Sequence, residues 1–320
     1  MTKYYMDEKS EALIQAVFFG SHNKYQALFE GPAGCGKTSL AYAVHEKQGR
    51  PKEKFLRVVI QRDTTMQDIF LDRTVEQGDI KWEEKAALKL MQDPEGTIVF
   101  DEIFAGPPDV NVGLNSITDN DMSITLPNGL TYHRSPTCNI ILTTNPQGYA
   151  GVKRQHGGFI DRFPRLELGY YPHEDKILLE KYPDLKPDLA VKLKELFWLF
   201  REAKAKKGMD AEFSTRSMEI IAALVLDGLD ITAALSHGIK VSKDDAKTVE
   251  DLARFVLNSK VKFYEDGTGT LEIIEQSKTI KAELEVKIEQ LKSECESKDK
   301  SLTDLKSRMD KAWKLIDKEL

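Results

Sequence analysis

Residues Gly31-Pro32-Ala33-Gly34-Cys35-Gly36-Lys37-Thr38 have the spacing G-x-x-x-x-G-K-S/T, a pattern that can cradle phosphate. Glycines let successive backbone N–H groups turn inward around phosphate oxygens, and a helix N-terminus behind them adds partial positive charge. Lys37 is then expected to reach the β- and γ-phosphates of ATP, and the Thr38 hydroxyl to ligate Mg²⁺. Ser39 closes the nucleotide-binding stretch. A glycine-rich turn with a chance Lys-Thr pair would carry the same letters, so the flanks matter. Tyr25 to Glu30 is short and apolar enough for a buried strand, and Ser39 to His45 reads as a helix start. Strand, loop and helix follow in the order the pattern requires.

A second cluster ends the run Thr97-Ile98-Val99-Phe100-Asp101-Glu102, a buried strand closing in two carboxylates. Ligands of parallel sheets collect at such strand tips. Asp101 is expected to hold Mg²⁺, directly or through water, and Glu102 to polarise the attacking water. An acidic strand cap is the plain alternative, and the phosphate loop upstream favours the functional one. A third apolar run, Asn139 to Thr144, leads into Asn145 and Pro146; Asn145 is placed to orient water near the γ-phosphate.

Arginines follow. Gly148 to Gly158 reads as a loop, and Phe159 to Arg165 leads into a strand at Leu166 to Leu168. Arg162 stands where it could be offered to a neighbouring subunit's nucleotide; Arg154 and Arg165 lie close enough to compete for that role. Further on, Ser214 or Thr215 would cap a helix and leave Arg216 in its first turn. A cation there opposes the helix dipole, a local inconsistency that suits contact with the γ-phosphate.

The elements needed to position these residues are also legible. Of 320 residues, 41% are hydrophobic and 31% charged, enough for one large domain and a smaller one. The net charge of -6, with a pI near 5.7, gives no basic footprint for nucleic acid. Cys35, Cys138 and Cys295 match no zinc or redox spacing, and Cys35 reads as a small loop residue. With no signal-peptide core and no apolar run near 18 residues, a soluble, cytoplasmic protein without a membrane span is expected. Glu11 to Phe19 has helical spacing, Lys54 to Ile60 is strand-like, Met66 to Phe70 reads as a short helix or insert, and Trp82 to Met91 as a longer helix. Val110 to Thr118 looks helical. Met122 to Tyr132 alternates around Asn128-Gly129 as a hairpin. Beyond Tyr171-Pro172 the pattern is helical only: Ile177 to Tyr182, Ala190 to Lys204, Ser217 to Leu226, Ile231 to Gly238 and Thr248 to Asn258. Glu265 to Gly269 reads as a linker. From about Thr270, with Leu284 at a d position, seam residues Ile274, Ile288, Leu291, Leu302, Leu305, Met309 and Ile316 support a coiled coil or helix pair, imperfect at Ser277, Lys281 and Lys298. A long helix folded back on the helical domain would read the same way. The expected domains are residues 1–170 (α/β, nucleotide-binding), 171–264 (helical lid) and 270–320 (tail).

Together the phosphate loop, the Asp101-Glu102 strand, Asn145, Arg162 and Arg216 resemble the AAA+ ATPases, P-loop NTPases with a parallel-sheet domain and a helical lid. The resemblance implies, in that order, the Walker A, Walker B, sensor 1, arginine-finger and sensor 2 roles. The Met122 to Tyr132 hairpin looks like the pre-sensor insertion of one AAA+ branch. Within it the chain resembles the MoxR group. Phe100 to Val110 is similar to the cobaltochelatase ATPase subunit CobS; Ser116 to Asp119, Thr144 to Tyr149 and Ser214 to Arg216 resemble the CbbQ/NirQ/NorQ activators. The resemblance implies a homo-hexameric ring with ATP and Mg²⁺ between subunits, and a partner carrying a von Willebrand factor A domain. A chelatase subunit is the narrower alternative. A nucleic-acid motor is disfavoured by the acidic total, and a non-hydrolysing scaffold by the complete motifs. The C-terminal tail departs from the family pattern.

Overall fold

The structure, a computed structural model, describes residues 8–20, 25–76, 79–146, 157–207, 211–263 and 269–272. They fall into two compact units interleaved along the chain. The first takes the residues up to Glu174 together with Glu212–Ile239; the second takes Asp175–Ala211 and the described residues from Lys240 onward. Grouping thus follows packing and not chain order.

The first unit opens with α1 (Glu8–Phe18), β1 (Gln26–Glu30), α2 (Lys37–Lys47), β2 (Phe55–Val59), α3 (Met66–Phe70), β3 (Leu71–Glu76) and β4 (Asp79–Glu84). It continues through α4 (Ala86–Gln92), β5 (Thr97–Asp101), α5 (Pro108–Thr118), β6 (Ser123–Thr125), β7 (Thr131–His133), β8 (Asn139–Thr144), α6 (Gly157–Ile160) and β9 (Arg165–Glu167). Next come α7 (Glu174–Lys181) and α8 (Pro187–Lys207), the latter in the second unit. The helices α9 (Thr215–Leu226) and α10 (Ile231–Gly238) return to the first, and α11 (Lys243–Leu257), β10 (Lys260–Phe263) and β11 (Gly269–Glu272) complete the second.

Five strands form one parallel sheet in the order β2-β5-β8-β1-β9. Residues of β1, β5 and β8 are buried throughout, as expected where helices cover both faces and the strands read as apolar runs. Alternate side chains feed opposite cores because the strand repeat is two residues. Leu28, Ile98, Phe100, Ile140 and Leu142 pack with Phe70, Leu88, Met91, Leu114 and Ile117. Ala27, Phe29, Val99 and Ile141 pack with Ile14, Phe18, Leu40 and Val44. The α/β parallel-sheet fold expected from the sequence is the observed one.

At the N-terminal edge of the sheet a buried arginine joins several elements. The Arg134 guanidinium donates to the Tyr25 carbonyl at 3.0 Å, to Gln26 Oε1 at 2.8 Å, to the Ile117 carbonyl at 3.3 Å and to the Cys138 carbonyl at 2.8 Å. Burial lowers its pKa to about 10 and pushes the neighbouring Cys138 thiol up to about 12.

Two expectations need correction. The stretch from Trp82 is not helical at its start: β4 pairs antiparallel with β3, register Arg73↔Trp82 and Val75↔Ile80, and the helix begins only at Ala86. Ile80 and Trp82 obey the two-residue repeat of a strand, and β3 supplies the hydrogen bonds that local spacing cannot reveal. The expected onset of the tail near Thr270 instead lies in β11, paired with β10, so the chain beyond Pro172 is not helical only, because that antiparallel pairing takes up Lys260–Phe263. Residues 273–320, where the coiled-coil reading falls, lie outside the described residues. The hairpin expectation holds, with Thr125↔Thr131 and Ile124↔Tyr132 in register. No described helix is long and apolar enough to cross a membrane.

Candidate functional site

The phosphate loop leaves the end of β1 and enters α2 at Lys37. Gly34 and Gly36 take positive φ, 73° and 94°, which turns the chain inward. The Gly31 N–H donates to the Thr144 carbonyl at 3.2 Å, tying the loop to β8. Tyr170 donates from its hydroxyl to the Ala33 carbonyl at 3.0 Å. Lys37 is buried, and its ammonium donates to the Gly31 carbonyl at 2.7 Å, the Pro32 carbonyl at 2.9 Å and Asn145 Oδ1 at 2.9 Å. Burial lowers its pKa, with Cys35 and Asp101 acting the other way. Burial also raises the Cys35 thiol, which suits a packing role and not a nucleophile's.

β5 and β8 pair in register up to Phe100↔Leu142, so their polar tips emerge together. Asp101 is buried, and its carboxylate takes a two-pronged ion pair from Arg57 of β2, with Nε at 2.8 Å. Its other oxygen accepts from the Thr143 hydroxyl. Glu102 is exposed and left-handed, φ 57°. Such backbone in a non-glycine residue costs about 1–3 kcal/mol and clusters at functional sites. Glu102 N–H donates to Thr143 Oγ1 at 3.2 Å. Asn145, at the tip of β8, therefore meets the phosphate-loop lysine, while Thr38 is half-buried at the start of α2.

The start of α9 closes over the loop within the same unit. Ser214 caps that helix, accepting from the Ser217 N–H at 3.1 Å, and Thr215 donates to the buried Glu174. A Cβ added to Gly34 would stand 2.6 Å from the Ser214 Cβ and 3.8 Å from the Arg216 Cβ. Arg216 is exposed, and its charge helps to depress Lys37. A cation in the first turn of α9 thus sits over a phosphate loop, which explains a residue that the helix dipole alone disfavours.

Arg162 lies elsewhere. Its carbonyl accepts from Gln26 Nε2 at 2.9 Å, and its guanidinium pairs with Asp119 at 2.7 Å and also donates to the Gly158 carbonyl. Gln26 starts β1 whereas the loop leaves from its other end, four residues or roughly 13 Å along the strand. Arg165 is on the loop side: its guanidinium pairs with the buried Glu30 carboxylate at 2.7 Å. Arg154 lies outside the described residues. The structure therefore brings together the loop, Asp101, Glu102, Asn145 and Arg216, and leaves Arg162 apart.

Sequence reading did not single out Arg57 or Thr143. Each occupies an ordinary strand position, and only the sheet order shows that both face Asp101. Among the described residues no group of three or more His, Cys, Asp or Glu could hold a metal. The Thr38 hydroxyl and the Asp101 carboxylate are hard oxygen donors, the sparse set that suits Mg²⁺ shared with phosphates.

Residues 26–163 match the family model of the AAA domain, dynein-related subfamily. The gas vesicle ATPase GvpN2 of Halobacterium salinarum is 26% identical over 269 residues, covering 77% of this chain and 72% of its own length. Protein NorQ of Paracoccus denitrificans is 25% identical over 237 residues, covering 72% of this chain and 84% of its own. Protein CbbQ of Hydrogenophilus thermoluteolus is 22% identical over 210 residues, covering 65% and 76%. A nucleotide-binding loop, a carboxylate pair at the tip of β5 and these relatives agree: residues 26–163 carry an AAA domain, and the chain is similar to AAA+ ATPases of the MoxR type.

Proposed function

We propose that this ATPase works as a ring of identical subunits, a homo-hexamer, with ATP between neighbours, and that hydrolysis remodels a partner protein. The observation that carries the reading is the anchorage of Arg162 at the start of β1, roughly 13 Å along the strand from its own phosphate loop. An arginine so placed serves a neighbour's nucleotide better than its own. Such a trans-acting arginine is worth about 10³–10⁵ in rate.

In this mechanism the loop N–H groups and Lys37 bind the phosphates, and Lys37 exchanges its carbonyl partners for phosphate oxygens. Thr38 and Asp101 would hold Mg²⁺, which would supply charge neutralisation to the phosphates. Glu102 accepts a proton from the attacking water, which Asn145 orients. Arg216 of the same chain and Arg162 of the neighbour stabilise charge on the transferring phosphoryl group. The MoxR resemblance adds a partner with a von Willebrand factor A domain. Similarity to GvpN2, a gas vesicle ATPase, supports ATP-driven work on a larger structure.

The test is the mass of the Glu102→Gln variant by light scattering with and without ATP. A shift to about six subunits with ATP is expected for a heterologous ring. A dimer indifferent to ATP would sink the proposal.

A further inference from the structure

The geometry points to Thr143 as a positioning residue for hydrolysis, whose hydroxyl joins the Asp101 carboxylate to the Glu102 backbone. The inference rests on the reading of Glu102 as the water-activating group. Thr143 is fully buried on β8, the strand between β5 and β1, and it stands opposite Phe29 of the phosphate-loop strand. Its hydroxyl has one proton and two lone pairs. The Glu102 N–H can only donate, so it takes a lone pair, at 3.2 Å. The hydroxyl proton is left for Asp101 Oδ1. The direction of both bonds is therefore fixed: Glu102 N–H to Thr143 Oγ1, and Thr143 O–H to the carboxylate. Such chains polarise in one sense and strengthen each other where water is absent.

Two consequences follow for the site. Glu102 is held left-handed by a bond to its own N–H on one side, and the Ala105 N–H bonds its carbonyl at 2.8 Å on the other. Loss of the first bond frees the peptide to relax and carries the Glu102 carboxylate away from the γ-phosphate position. Asp101 keeps Arg57 on Oδ2, so Thr143 fixes the rotation of the carboxylate about that pair. Valine has the shape of threonine but neither donates nor accepts; serine keeps the hydroxyl.

Thr143→Val and Thr143→Ser should be compared with the native chain for turnover, for affinity of a fluorescent ATP analogue, and for the Mg²⁺ concentration giving half-maximal analogue binding. Thr143→Val is expected to lose about 10–100-fold in kcat, the range for residues that orient a ligand or catalytic group. Analogue affinity should stay within about threefold, since the loop is untouched, and Thr143→Ser should recover most of the turnover. Adding Thr143→Val to Glu102→Gln should cost less turnover than Thr143→Val costs the native chain, because part of its effect runs through the Glu102 carboxylate. Full turnover in Thr143→Val, or a loss that serine fails to rescue, would overturn the inference. A kcat loss that merely follows lost analogue affinity would do the same. If the valine variant does not fold, Thr143→Ala takes its place in the same comparison. An active Glu102→Gln chain would remove the underlying reading of Glu102, whereas an inactive one beside a fully active Thr143→Val removes only the role of Thr143.

Discussion

Lys37 Nζ donates to Asn145 Oδ1 at 2.9 Å, so the phosphate-loop lysine and the asparagine at the tip of β8 share one hydrogen bond. The other two acceptors of the ammonium are loop carbonyls, Gly31 and Pro32. All three are neutral oxygens, weaker partners for a cation than phosphate.

Proton uptake on nucleotide binding follows. Burial holds Lys37 below the ordinary lysine range in the free protein, and phosphate would raise it again. For folding, the depressed value means that charged Lys37 costs stability, a cost that fades as pH rises through its folded pKa. For binding, the sign reverses, and between the free and bound values the protein takes up a proton. Calorimetry of an ATP analogue on Glu102→Gln, in buffers of different ionisation heat, should show proton uptake that grows as pH rises into the alkaline range. Buffer-independent heats at every pH would contradict the role given to Lys37.

Arg162→Ala and Glu102→Gln should each bind the ATP analogue yet turn over at least about 10³-fold more slowly than the native chain. Mixed in equal amounts they should regain about a quarter of the native activity. One subunit then supplies the arginine and its neighbour the carboxylate at a heterologous interface. An inert mixture would place Arg162 outside the trans role.

Arg57→Met should loosen the hold on Asp101 Oδ2. Arg57 is half-exposed, 49%, so the pair adds about 1 kcal/mol at most to folding. The unfolding midpoint should barely move. Mg²⁺ titration of ATPase activity should reach its midpoint at a lower concentration, by up to about fivefold, as a competing cation is removed. A higher midpoint would mean that Arg57 orients Asp101 instead of shielding it.

Gly34 and Gly49 make an internal control. Both have positive φ, 73° and 72°, but a Cβ at Gly49 meets nothing within 4 Å, while one at Gly34 stands 2.6 Å from Ser214. Gly49→Ala should cost about 1 kcal/mol in unfolding free energy, the penalty of the left-handed backbone alone. Gly34→Ala should add about 1–3 kcal/mol of overpacking and weaken analogue binding at least about tenfold. Equal effects of the two changes would show that Ser214 does not press on the loop.

Much of the site was legible because its parts are local. The spacing Gly31 to Thr38, the carboxylates after an apolar run and the asparagine after the next run are each set by neighbours in sequence. The cap Ser214 and the misplaced cation Arg216 were visible for the same reason. The β3–β4 pair was not, since Ile80 and Trp82 look helical until Leu71–Glu76 is laid beside them. Arg57 and Thr143 carry no local signature; each matters only through its partner, 44 and 41 residues away in sequence.

The sequence by itself determined that this chain binds nucleotide at a loop between a buried strand and a helix, because backbone conformation there depends on glycine spacing and apolar periodicity. Only the tertiary structure decided which residues stand around that loop. The strand order β2-β5-β8-β1-β9 brings Arg57 and Thr143 within hydrogen-bonding reach of Asp101 from either side, while Arg162 is tied to the far end of β1. Pairing between strands joins residues by distance in space, a quantity that spacing along one chain does not contain.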